Sequence, residues 1–408
     1  MSTFSTSGGL KGLRILDLGH ALAAPYCTQM LADHGADVIK IEPPDGDVSR
    51  RIGPFTEDDT LRAYGGLFQC CNRNKRGMVI DLKHPEGRET FLKMVEQADA
   101  VVENFRAGVM DRLGLSYETL AERNPRIVYT SIRGFGDPRG GKTEYTDWPA
   151  VDIIAQAMGG LMGITGPDAQ SPTKVGGGPG DTVPGLFASF ATMVALWEAR
   201  SSGKGQYVDV AMVDSLIALS EPITVTYSYT GEVPRPAGSR LPQIAPFGRI
   251  ATKDGWAVLA VPPGRNWPVF CDVIGRPELS VDPRFSTEQA RLANRDAVYE
   301  VVEAFTTGHT RAELLKIFGG KVPFAPVYDA QDIFRDPYFT IREMLPQLEQ
   351  PGSKRKVTVP GIPAKLSRTP GGVYQRAPLL GEHTADILSD FGLDAEQIAA
   401  LCKSGAVA

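Results

Sequence analysis

Leu13-Arg14-Ile15-Leu16-Asp17-Leu18, followed by Ala24–His34 and then Val38-Ile39-Lys40-Ile41, is the stretch that decides the fold. The first run is short and apolar, as a buried strand is. The second places Tyr26, Met30 and Leu31 at helical spacing, and Gly35 stops it. The third returns to a short apolar run rich in β-branched residues. Together they read as a β-α-β unit. The same alternation continues. Met78–Leu82 reads as a strand and Pro85–Ala98 as a helix with a proline suited to its first turn. Ala100–Glu103 is a strand, Leu115–Asn124 a helix and Ile127–Ile132 a strand. Strands that alternate with helices predict an α/β fold with a largely parallel sheet covered on both faces.

Further along, Val151–Met162 reads as a helix, Leu186–Arg200 as another and Gln206–Met212 as a strand. Composition changes over Thr230–Pro246, which holds four prolines and two glycines. That is the signature of a linker or active-site loop. Beyond it, Gly248–Val261 reads as two strands around Lys253-Asp254-Gly255. Helices follow at Trp267–Ile274, Arg295–Thr306 and Arg311–Phe318, and Val322–Val327 is a strand. Pro351–Pro363 is extended, and His383–Phe391 and Ala395–Leu401 read as closing helices. The expected organisation is a large domain beginning in residues 1–229, a linker or loop at 230–246, a small α/β domain at 247–340, and a return through 341–408 that completes the large domain.

The 408 residues carry 43 basic and 48 acidic side chains, a net charge of −5, and no long Lys/Arg block. This balance predicts neither nucleic acid nor an anionic membrane as the main partner. No apolar run reads as a membrane span. The Ser/Thr/Gly-rich stretch Met1–Leu10 reads as a loose tail without the apolar segment of a signal peptide, so the expectation is a cytoplasmic protein. Five cysteines without a C-x-x-C pair and five scattered histidines predict neither a disulfide framework nor a metal site.

Gly176-Gly177-Gly178-Pro179-Gly180-Asp181 places one carboxylate at the end of a glycine run. Glycines let backbone N–H groups lie open to a ligand, and an Asp there could attack a carbonyl while those groups bind the oxyanion. A plainer reading makes Asp181 the N-cap of the following helix, with Pro184 in its first turn. Two other motifs point elsewhere. Gly136–Thr143 fits G-x-x-x-x-G-K-T, but Pro149 opposes the helix that a phosphate loop needs at its Lys-Thr. Glu42 ends a strand where a ribose-binding acid would sit. The turn Gly19-His20-Ala21-Leu22-Ala23-Ala24 nevertheless lacks G-x-G-x-x-G, so a dinucleotide reading is unsupported.

Fragments spread over nearly the whole chain resemble the CaiB/BaiF family, the class III CoA-transferases. They include Gly12–Leu18, Ala24-Pro25-Tyr26, Leu31–Glu42, Asn74-Lys75-Arg76, Asp81-Leu82-Lys83 and Val102-Glu103-Asn104-Phe105. Arg133-Gly134-Phe135-Gly136, Gln156–Gly160, Gly203-Lys204-Gly205-Gln206 and Ala377–Thr384 complete the series in the same order.

The resemblance implies a Rossmann-like large domain with a smaller α/β domain, in an interlocked, ring-like homodimer. It implies an enzyme that needs no metal or bound cofactor, with coenzyme A carried in as part of the substrate, and an acyl-CoA and a carboxylic acid acceptor as partners. The family nucleophile, an aspartate in a G-D motif, corresponds to Asp181. CoA contacts correspond to Ala21, Leu22, Ala23, Lys83, Asn104, Phe105 and Arg112, and the active-site glycines that could bind an oxyanion to Gly176, Gly177, Gly178 and Gly180. An arginine contact of formyl-CoA transferase falls on Pro43, and a glutamine that works on oxalate falls on Leu22. The histidine of the related racemases falls on Val151, which cannot act as acid or base. Arg240, Arg249 and Gln243 are candidates for an acid pocket. The implied reaction moves CoA from an acyl-CoA to a carboxylic acid through an aspartyl-CoA thioester, with succinyl-CoA or another dicarboxylyl-CoA as candidate donor. The alternative is an acyl-CoA isomerase or racemase, or an intramolecular CoA transferase, on the same fold.

Overall fold

The computed structural model describes residues 8–408 of the chain. These divide into two units. The first takes in the described residues up to Leu161, Lys174–Gly231 and Pro337–Ala408, and the second takes in Met162–Thr173 and Glu232–Asp336. Residues 162–173, which the sequence reading leaves in the first block, thus belong to the second unit. Thr173 donates its backbone N–H to Thr165 O at 2.7 Å, and Gly238 donates to Gly166 O at 3.0 Å.

Strands β1 (Arg14–Asp17), β2 (Asp37–Glu42), β3 (Arg76–Val79), β4 (Ala100–Glu103), β5 (Val128–Arg133) and β6 (Tyr207–Ala211) form the sheet of the first unit. Their order is β3-β2-β1-β4-β5-β6, and every pairing is parallel. Successive side chains leave a strand on opposite faces. Ile15, Val38, Val102 and Val128 accordingly enter one apolar cluster, while Leu16, Ile39, Val101 and Tyr129 enter the other. Both clusters are buried, which is why these strands are apolar without polar alternation.

The first cluster is closed by helices Ala23–Asp33 and Pro179–Ser202. A side chain on Gly185 would meet Ala23 O at 2.7 Å, so glycine lets the two helix backbones approach closely. The other face is covered by helix Pro85–Val95 and by the returning chain, whose Ile387, Leu388 and Phe391 pack there. Ile80 pairs antiparallel with Val407. Pro179–Ser202 is long and apolar enough to cross a membrane by length and composition, which corrects the reading that no run is. Its Ala188, Thr192, Ala195 and Ala199 face the core of the first unit.

The second unit carries an antiparallel sheet of β7 (Phe247–Thr252), β8 (Gly255–Ala260) and β9 (Phe324–Pro326). Trp267, Phe270, Val298, Tyr299 and Phe318 from its helices pack on that sheet. Thr310 and Glu313 form a capping box at the start of helix Arg311–Phe318.

The expected loose tail, Met1–Leu10, falls outside the described residues over positions 1–7. Within them, Leu10 is tied down by its N–H bond to His34 O at 3.0 Å.

Candidate active site

In a parallel sheet of this order, the loops after β1 and β4 leave in opposite directions and open a crevice between them. The loop after β1 is Leu18–Leu22, and that after β4 starts at Asn104. Asn104 joins the two. Its Oδ1 accepts His20 N–H at 2.7 Å and its Nδ2 donates to His20 O at 2.9 Å. The His20 and Phe105 rings lie 5.3 Å apart. Ala21 sits at a φ of +60°, a conformation costly for a residue with a Cβ. The loop is held there by Ala21 N–H donating to Asp47 Oδ1 at 3.1 Å and by Lys40 Nζ donating to Gly19 O.

Lys40 is itself fully buried and paired with Asp47 at 2.9 Å. Burial opposes its charge, but Asp17, Asp47 and Glu42 outweigh that and raise its pKa. Burial and then Lys40 push His20 below the usual imidazole range, so His20 is neutral at pH 7.

The glycine run departs from the capping expectation. The helix begins at Pro179, not near Leu186, and its N-cap is Gly178, at a φ of +71° that suits glycine. Asp181 therefore lies inside the first turn, and Pro184 lies inside the helix. Asp181 and Thr182 both donate backbone N–H to Gly178 O, at 3.1 and 3.0 Å. A proline at 184 has no N–H to offer Gly180 O, which loosens this turn.

Gly180 donates its N–H to Asp152 Oδ1 at 2.7 Å. A Cβ on Gly180 would meet Asp152 O at 2.3 Å, so only glycine fits. This corrects one expectation: the Gly180 N–H is committed to Asp152 and cannot serve an oxyanion. Gly176 and Gly177 are exposed, and Gly178 is half-buried. Burial, and then the Asp152 carboxylate, raises the Asp181 pKa to about 6. The helix N-terminus favours the ionised form and works against that rise. At pH 7 Asp181 is about nine-tenths ionised, yet more basic than an ordinary carboxylate.

The other residues named from the sequence separate into groups. Leu22 reaches the glycine run, its Cδ2 lying 3.5 Å from where a Gly178 side chain would begin. Ala23 is buried as the first residue of helix Ala23–Asp33, so it presents no surface to a ligand. Lys83 is exposed in the turn beyond β3, and Arg112 is exposed on the short helix Val109–Arg112 beyond β4. With Phe105 they lie on segments that follow the C-terminal ends of their strands. Arg240 is paired with Glu303 at 2.9 Å and lies over the Tyr299 ring at 3.7 Å, while Arg249 lies over Trp256 at 4.1 Å.

Asp152 and Gln156 are not among the site residues expected from the sequence, although Gln156 lies in one of the family fragments. Their i, i+4 spacing puts both on one helix face, a signal present in the chain.

The decoys resolve physically. No helix starts at Lys142-Thr143, the next beginning at Asp152, and Asp137 N–H donates to both Asp209 oxygens at 3.0 Å. A carboxylate at that turn repels phosphate. Glu42 is buried and paired with Arg50, leaving it no ribose to bind. Among the described residues, no group of three or more His, Cys, Asp or Glu could hold a metal ion.

A six-stranded parallel sheet with a carboxylate behind a glycine run, in the first turn of a long helix, defines an α/β protein with a candidate nucleophile. Residues 10–384 match the model of CoA-transferase family III, and the chain belongs to that family as a CoA-transferase. It is 44% identical over 95% of its length to a succinyl-CoA:mesaconate CoA-transferase of Haloarcula hispanica, covering 97% of that protein. It is 34% identical to a succinyl-CoA–D-citramalate CoA-transferase of Chloroflexus aurantiacus, covering 96% of each chain. Its fold matches the crystal structure of a CaiB/BaiF family protein from Brucella suis with a TM-score of 0.84 at 34% identity, covering 94% of this chain and 100% of that one.

Proposed function

We propose that this enzyme moves CoA from succinyl-CoA, or another dicarboxylyl-CoA, to a carboxylic acid through a thioester on Asp181. The observation that carries the reading is the half-buried, basic carboxylate in the first turn of helix Pro179–Ser202, beside the charge of Asp152. The relatives' succinyl donors support the choice of donor.

Asp181 attacks the thioester carbonyl of the donor. The C–S bond breaks, giving a mixed anhydride and CoA thiolate. The thiolate then attacks the Asp181 carbonyl carbon, the donor acid leaves as its carboxylate, and an aspartyl-CoA thioester remains. An acceptor carboxylate attacks that thioester and the same steps run in reverse, restoring Asp181. No net proton is consumed. A carboxylate suits this cycle because it is both nucleophile and leaving group. Each acylation also removes the Asp181 charge that burial and Asp152 oppose. The N–H groups of Gly176, Gly177 and Gly178 are the candidate oxyanion donors, since that of Gly180 is taken.

CoA lies in this reading along the C-terminal edge of a Rossmann-like sheet, in the cytoplasm. His20 and Ala21 supply backbone, Leu22 and Phe105 walls, and Lys83 and Arg112 charge. Asn104 acts on CoA through the His20 loop that it holds. Self-association as an interlocked homodimer fits the apolar side chains that helix Pro179–Ser202 leaves exposed, Phe190 at 68% and Trp197 at 73%. Val151, at the N-cap of helix Asp152–Met158, offers no acid–base group for a racemase.

The test is to incubate the enzyme with succinyl-CoA and a panel of four- and five-carbon acids, following new acyl-CoA by mass spectrometry. New thioester that forms only when an acceptor acid is present supports the reading. Rearranged or epimerised thioester formed without an acceptor would turn it to the isomerase.

A further inference from the structure

Gln156 ties both ends of the glycine run to one point. Its side chain is fully buried. Its Oε1 accepts Val175 N–H at 2.8 Å, and its Nε2 donates to Val175 O at 3.2 Å. The same Nε2 donates to both Asp152 oxygens at 3.0 Å. Asp152 in turn holds Gly180 N–H at 2.7 Å. Val175 and Gly180 bracket Gly176–Pro179, where no side chain on Gly176 or Gly177 would touch anything within 4 Å. The run is therefore anchored at its ends and free at its centre.

We propose that Gln156 is a positioning residue that keeps this loop closed over the Asp181 thioester and so excludes water from it. The inference rests on the role given to Asp181 above. A buried amide can join a carboxylate and a peptide group at once because it donates and accepts on the same plane. Once the amide is gone, Val175 N–H and Asp152 each lose a buried partner, and the loop moves away to find water. The competing reaction is then hydrolysis. Water attacks the aspartyl carbonyl, the C–S bond breaks, CoA leaves as the thiol, and Asp181 is restored as carboxylate with release of one proton.

The experiment compares transfer with hydrolysis of succinyl-CoA in the wild type, Gln156→Ala and Gln156→Glu, with free CoA counted as hydrolysis against newly formed acyl-CoA, and succinate, which both routes release, as their sum. Gln156→Glu keeps the volume and the acceptor for Val175 N–H, but sets a second carboxylate against Asp152. We expect the hydrolysed share to rise by about tenfold in Gln156→Ala and by less in Gln156→Glu. Amide exchange on the unmodified enzyme is the second measurement, with Val175 and Gly180 protected and Gly176 and Gly177 exchanging fast. Folded variants with reduced transfer and an unchanged hydrolysed share would overturn the proposal, and so would fast exchange at Val175 and Gly180. Wild type that neither transfers nor hydrolyses succinyl-CoA would fail the Asp181 reading instead, and protection at Val175 would still stand apart from it.

Discussion

Gly180 N–H donates to Asp152 Oδ1 at 2.7 Å, one residue before the carboxylate whose pKa Asp152 helps to raise. One side chain thus fixes the backbone of the turn and also adds to the burial that raises the Asp181 pKa. Asp152→Asn can keep the oxygen that accepts Gly180 N–H while removing the charge. If Asp181 is the nucleophile, the acid limb of kcat/KM should lie near pH 6 in the wild type and move down in the variant by less than the share that burial contributes. Rate profiles between pH 4 and 8 measure this, and an unmoved limb would detach Asp152 from the ionisation of Asp181.

Asp181 should cost the protein stability. Its folded pKa of about 6 lies above the ordinary aspartate value of 3.8. The protonated form is therefore favoured by folding, and stability falls as pH rises between the two values. Asp181→Asn should be more stable than wild type by about 1–3 kcal/mol at pH 7, and the gain should vanish near pH 4. Denaturant titrations at both pH values check the sign. Equal stability at pH 7 would mean that the carboxylate is better solvated than its burial implies.

Gly180→Ala should destabilise by about 2 kcal/mol or more, because the added methyl would meet Asp152 O at 2.3 Å and neither backbone can yield cheaply. Thermal unfolding would register this as a lowered Tm.

Asn104→Ala removes both bonds to His20 and frees a loop in which Ala21 has a positive φ. It should raise KM for the acyl-CoA by about tenfold with a smaller change in kcat, the mark of lost uniform binding. Steady-state kinetics at saturating acceptor acid separate the two parameters.

The parallel sheet was legible because each strand is a short apolar run and each helix carries its own stop, as Gly35 does after Ala23–Asp33. Ala100–Glu103, Arg295–Thr306 and Arg311–Phe318 have the bounds read from the sequence. The start of the long helix was not legible. Gly180 and Pro184 argue locally against a helix, and only packing on helix Ala23–Asp33 and the bond to Asp152 pull Pro179–Gly185 into one. The helix Glu221–Thr230 was missed for a similar reason, because Thr, Val and Tyr favour strands by propensity. Asp181 could be named as a candidate from its glycines and the family resemblance. Its setting could not, since Asp152 reaches the turn through a tertiary bond from Gly180 N–H, 28 residues along the chain. Arg240 shows the converse, a residue picked for its charge that Glu303 already neutralises.

The central claim is that Asp181 carries the acyl and CoA intermediates, and the most direct measurement is a chemical trap. The enzyme is incubated with succinyl-CoA, quenched with hydroxylamine, digested, and its peptides mapped by mass spectrometry. The account predicts a hydroxamate on Asp181 that is absent without acyl-CoA and absent from Asp181→Asn. Active enzyme that transfers CoA at full rate and leaves Asp181 unmodified, or carries the hydroxamate on another residue, would contradict it.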